Sequence, residues 1–207
     1  MERSSGTSHL DDVTRNLATL SIAPGSSLGG ATASLRIPGP IDEYFIGHTR
    51  PSGTGFKYNP QVNTNVRKTF NRLARAYRWG DSRRDEEKEK FFEAIDAEFT
   101  KRFGDGSDLT TWQWLVGLFG YDDDEIPTSL TKCKKILSEL YINIYDFLHY
   151  CRRMNITKED GVKRDLRFLS KASLNELRVY SKSRNLLYPL DLARGNVLRG
   201  FLVHMFG

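Results

Sequence analysis

The chain has 207 residues, 39% of them hydrophobic, 12% aromatic and 28% charged, with a formal net charge of +5. That length accommodates one or two domains at roughly 100–200 residues each, and the apolar share is enough for a core. No window approaches the roughly 18 consecutive apolar residues of a membrane span, so no membrane partner is expected. The N-terminus has no apolar signal stretch, and Glu2, Asp11 and Asp12 argue against a mitochondrial presequence. An intracellular setting, cytoplasm or nucleus, is expected by elimination.

Charge is unevenly spread. Residues 104–150 carry 3 Lys/Arg against 8 Asp/Glu, whereas residues 151–207 carry 12 against 5. Such asymmetry permits an anionic partner without requiring one.

In chain order, residues 1–55 read as a flexible, low-complexity tail, rich in Gly, Ser, Thr and Ala and with little to bury. LATLSIA (17–23) is its one apolar run. Residues 56–207 read as a single helical domain, an all-α, irregular bundle of five to six helices. Asn63 or Thr64 is expected to cap a first helix whose apolar stripe is Val66, Phe70, Leu73, Ala74 and Tyr77. Gly80 ends it. A second helix runs from Asp81 or Ser82 to Phe103, with acids in its first turns and Lys101 and Arg102 in its last, as the helix dipole favours. Asp108 caps a short helix through TTWQWLVGLF. Thr128 or Ser129 then opens a long central helix to Cys151, the expected hub of the core. A capping pattern, Ser173 with Glu176, opens a further helix, and a last one is expected over about 190–205.

If one helix holds both Cys133 and Cys151, they lie about 27 Å apart at ~1.5 Å rise per residue. A disulfide spans less than about 7 Å between Cα atoms, so buried free thiols are expected unless the helix breaks. No zinc spacing links these cysteines with His9, His48, His149 and His204; His9 and His48 are placed outside the core. YDDDE (121–125) lacks the glycine and spacing of a calcium loop and reads as a solvated acidic loop, or a contact for the basic C-terminal segment. HYC (149–151) places its side chains on different sides of a helix. Glu86, Glu89, Glu93 and Asp96 interleave with lysines as a solvated face does. No catalytic residue, metal or cofactor is expected.

Basic surface remains as the candidate site. On the first helix it comprises Arg67, Lys68, Arg72, Arg75 and Arg78; towards the C-terminus it comprises Lys163, Arg164, Arg167, Lys171, Lys182 and Arg184. Interleaved aromatics permit base stacking beside phosphate contacts, but Phe70, Tyr77 and Phe168 fall at expected core positions. A non-enzymatic module binding a protein partner is therefore the first reading. A nuclear nucleic-acid-associated factor is the alternative.

The order FKYNP…FNRLARAYRW, FFEAIDAEFTKRFG, TWQWLVGLFG, PTSLTKCKKILSELYINIYDFL and FLSKASLNELRVYSKSRNLLYPLDLARGNVLRGFL resembles a widespread group of small uncharacterised helical proteins of filamentous fungi, over about residues 56–206. Its most specific pieces are Trp112–Gln113, SLTKCKK…YINIYDF and the closing Leu-Tyr-Pro. The resemblance implies a fungal helical domain and no catalytic residue.

Overall fold

Side-chain caps set most of the helix starts. A computed structural model describes residues 38–49, 55–162 and 164–189, and these lie within one unit, Arg36–Gly207. Among the described residues there are seven α-helices and two short 3-10 turns, with two isolated β-bridges in place of any sheet. The helices are α1 (Pro40–Gly47), α2 (Val66–Ala76), α3 (Asp81–Phe103), α4 (Leu109–Leu118), α5 (Leu130–Ser138), α6 (Ile144–Arg153) and α7 (Leu174–Ser183). The all-α expectation holds. The helix expected over 190–205 and the LATLSIA run lie outside the described residues.

Asp108 caps α4 by accepting from the Thr110 amide, and Ser173 caps α7 by accepting from the Glu176 amide, as expected. The first helix starts slightly later than expected, because Asn65 accepts from the Lys68 amide. Asn63 instead accepts from the Asn59 amide and from Arg72.

Two expectations are corrected. The ordered fold does not begin at Phe56: residues within the expected tail form α1, with Ile41, Asp42 and Phe45 fully buried. Eight residues are too few for a helix to stand on propensity alone, so α1 exists because it packs, chiefly against α3. The Asp42 carboxylate caps it through the Gly39 amide at 2.9 Å, and Glu98 of α3 accepts from the Ile41 amide. Any Cβ at Gly39 would collide with the Glu98 carboxylate, so only glycine admits that approach.

The long central helix is two helices. Tyr141 takes a left-handed φ of 46°, and the Asn143 side chain caps α6 by accepting from the Tyr145 and Asp146 amides. Asn143 also donates to Ser181 Oγ and the Leu186 carbonyl, while Ile142 bridges to Ser170. Tertiary bonds to the 170–186 segment thus replace the helical bonds that continuity would have supplied. Despite the break, both cysteines remain free and buried.

The core runs through aromatic contacts. Phe45 and Phe70 both adjoin Phe91, the latter stacked on it at 4.6 Å. Phe99, Phe103, Phe119 and Phe147 form a second group. Burying each such ring contributes roughly 1.5–3 kcal/mol. Phe168, expected in the core, is instead 62% exposed, its ring edge-on to Tyr150.

Candidate anion-binding site

The α2–α3 junction builds a polar cavity. Helix α2 ends in a reversal: the Arg78 amide donates to the Arg75 carbonyl and the Trp79 amide to the Ala74 carbonyl. Such a terminus needs one left-handed residue, normally glycine or asparagine. Helices α6 and α7 end the same way on Asn155 and Asn185. Helix α2 uses Arg78, at φ 51°, where a residue with a Cβ is disfavoured. The reversal sets Arg75 and Arg78 beside Arg84 in the second turn of α3.

These residues, with Asn71, Ala74, Trp79 and Asn185, line a cavity of about 390 Å³. Small-molecule sites start at about 300 Å³. Arg84 is held by a 3.0 Å hydrogen bond to Asn71 Oδ1. Among the described residues no acidic side chain lines the cavity, and Asp81 in the first turn of α3 is exposed outside it. Three arginines thus line one cavity with no carboxylate among its described lining residues. From the C-terminal basic segment only Asn185, next to Arg184, is among the described lining residues.

Other expected contact residues are engaged elsewhere. Arg67 is buried, at 7% exposure, with its guanidinium over the Tyr145 ring; its expected place on the outer face is corrected. Its aliphatic stem counts as core where α2 meets α6. Arg72 donates to the Lys57 carbonyl and Asn63. Arg167 grips Asp165 at 2.7 Å, and that hydrogen bond holds the Asp165 carboxyl below its usual range. Lys171 and Arg184 both lie over the Tyr180 ring. Lys68 and Lys182 are exposed and Arg164 is half-buried; Lys163 lies outside the described residues.

A second set of arginines is structural. Arg152 of α6 is buried between Asp42 Oδ1 at 2.6 Å and Glu98 Oε1 at 3.0 Å. Arg102 shares Glu98 Oε1 at 2.7 Å and donates to the Ile156 carbonyl. Tyr58 donates to Asp42 and accepts from Arg152. Burial alone would lower the Arg152 pKa, but Glu98, Tyr58 and Asp42 outweigh it and the net shift is upward. Among the described residues two carboxylates face two guanidiniums, and the cluster ties α1, α3 and α6 together. Nothing in the spacing of Asp42, Glu98 and Arg152 signalled it, since the partners lie 54 and 110 residues apart.

Glu87, which looked like one more first-turn acid, is also fully buried. It pairs with Arg83, Lys90 and His48. His48 is half-buried at the edge of the core, as its expected place outside the core allows, and its ring lies edge-on to Tyr44. Glu86, Glu89 and Glu93 are exposed as expected, whereas Asp96 is half-buried and burial raises its pKa.

Burial raises the pKa of the Cys133 thiol, and it does the same to Cys151 against the lowering influence of Arg102 and Arg164. A nucleophilic thiol needs the opposite shift. No group of three or more metal-ligating side chains converges among the described residues, and no helix among them is long and apolar enough to cross a membrane. The acidic loop is closed by Glu125 accepting from the Asp122 amide, and Glu125 and Tyr121 act electrostatically on Arg167. A second cleft of about 240 Å³, between Trp114, Ile126 and Val162, is mainly apolar.

Sequence reading placed Arg75 and Arg78 in the site but missed Arg84, Trp79, Asn71 and Asn185. The available signal was an arginine standing just before Trp79 and Gly80, where a helix ends. No protein-family model, curated protein or solved structure matches this chain.

Proposed function

We propose that the chain is a non-enzymatic helical module that binds a protein partner by capturing an acidic group in the arginine cleft. The observation that carries this is the convergence of Arg75, Arg78 and Arg84 on one cavity without a carboxylate among its described lining residues. Charged groups are normally paired or solvated, and a concave cationic cluster favours an incoming anion. The raised thiol pKa values weigh against cysteine chemistry.

A nucleic-acid partner is the second reading, favoured by Trp79 in the cavity wall, where a base can stack. The distribution of cations weighs against it. A nucleic-acid surface neutralises phosphates along a track, whereas Arg67, Arg72, Arg167 and Arg184 are held by this protein's own groups. One discrete cleft suits one acidic group.

Affinity purification of the full chain from its native cell tests this, with nuclease-treated extracts. Wild type and an Arg75→Glu/Arg84→Glu variant are compared. Proteins retained by wild type and lost by the variant are expected. Identical retention by both, or retention abolished by nuclease, overturns the reading.

A further inference from the structure

We infer that the anion captured in the arginine cleft is the phosphate of a phosphorylated serine or threonine in the partner protein, an inference that rests on the binding reading above. A phosphomonoester carries about −1.5 to −2 charge at neutral pH and three acceptor oxygens. Arg75, Arg78 and Arg84 offer three forked donor groups around one cavity, and arginine forks match phosphate geometry with paired hydrogen bonds. A carboxylate has one charge and two oxygens, so it would leave most of those donors unused.

The conformation of Arg78 is an independent observation. Two other helices end in the same reversal and use asparagine, which tolerates the left-handed region. An arginine there is strained, and its side chain makes no hydrogen bond or ion pair within the described structure. Strained backbone residues cluster at ligand contacts and switch regions. The cavity, at about 390 Å³, exceeds what one phosphate fills. Ala74 and Trp79 wall the remainder and offer an apolar surface to the residue beside the phosphorylated one. The Asn71 and Asn185 amides can bond the peptide backbone.

The test is fluorescence anisotropy on the full chain with three degenerate eleven-residue peptide libraries. They carry phosphoserine, serine or glutamate at the centre, and a 5′-phosphorylated oligothymidine serves as a fourth probe. Binding of the phosphoserine library at least about tenfold tighter than either other library is expected, since serine brings no charge and glutamate brings one charge and two acceptor oxygens against the phosphate's nearly two charges and three. Inorganic phosphate should compete. Arg78→Gly should remove the preference while leaving the melting temperature at or above that of wild type, which separates contact from folding. Equal affinity for the phosphoserine and glutamate libraries overturns the phosphate inference and leaves the acidic-partner reading standing. Binding to none of the peptides overturns the inference, and the purification above then decides the broader reading. Preference for the oligothymidine, falling steeply with salt, overturns both.

Discussion

Arg102 and Arg152 sit in the core, while Arg75, Arg78 and Arg84 sit at the α2–α3 junction, and the same side chain performs opposite tasks in the two places. In the core each guanidinium meets carboxylates at 2.6–3.0 Å, on helices that the pairing holds together. At the junction three guanidiniums face a cavity whose described lining contains no acid. Desolvation makes the buried set intolerant of losing any member, because the remaining charge would be stranded. The cleft residues are half-exposed or exposed, so water can solvate them when nothing is bound. The buried arginines therefore hold the fold, and the cleft arginines pair with no carboxylate among the described residues.

The largest expected effect comes from starting the chain at Phe56. That deletion removes Ile41, Phe45 and Asp42 together. Losing a buried aromatic costs about 3–5 kcal/mol and breaking a buried ion pair a similar amount. The sum rivals a whole domain's typical stability of about 5–15 kcal/mol, so cooperative urea unfolding should vanish. A cooperative transition with wild-type midpoint in that truncated chain would remove α1 from the core.

The direct comparison is Arg152→Ala against Arg75→Ala. The first strands Asp42 and Glu98 and should cost about 3–5 kcal/mol; the second should stay within about 0.5 kcal/mol, as surface substitutions do. Denaturant midpoints measured side by side decide it, and equal losses would erase the distinction between the two sets.

The smallest effect has the opposite sign. Arg78→Gly relieves a left-handed residue with a Cβ and should gain about 1 kcal/mol, visible as a higher melting temperature. A loss of stability instead would mean that the Arg78 side chain serves the fold.

Helices with strong periodicity and local caps were legible in the sequence. Asp81–Phe103, the Asp108-capped helix and the Ser173-capped helix appear where expected, because cap, stripe and terminal charges all lie within a few residues. The break at 139–143 was hidden by the apolar run from Ile136 to Leu148, which suits one long helix as well as two. Asn143 was the available clue, flanked by β-branched Ile142 and Ile144 and able to cap the helix that follows. The cleft was half legible. Arg75 and Arg78 stood out as basic residues on one helix, but Asn185 belongs to a segment more than a hundred residues away, and no local pattern joins them.

By itself, then, the amino-acid order determined the helical class, the stripes that form the core and the caps that start most helices, because these depend on interactions spanning one or two turns. Tertiary structure alone decided that Pro40–Gly47 belongs to the core, that Glu87 and Glu98 are buried while their neighbours face water, and which arginines are paired. Those outcomes depend on charges and rings brought together from distant parts of the chain, and the cost of leaving a buried charge alone is set only once the chain has folded around it.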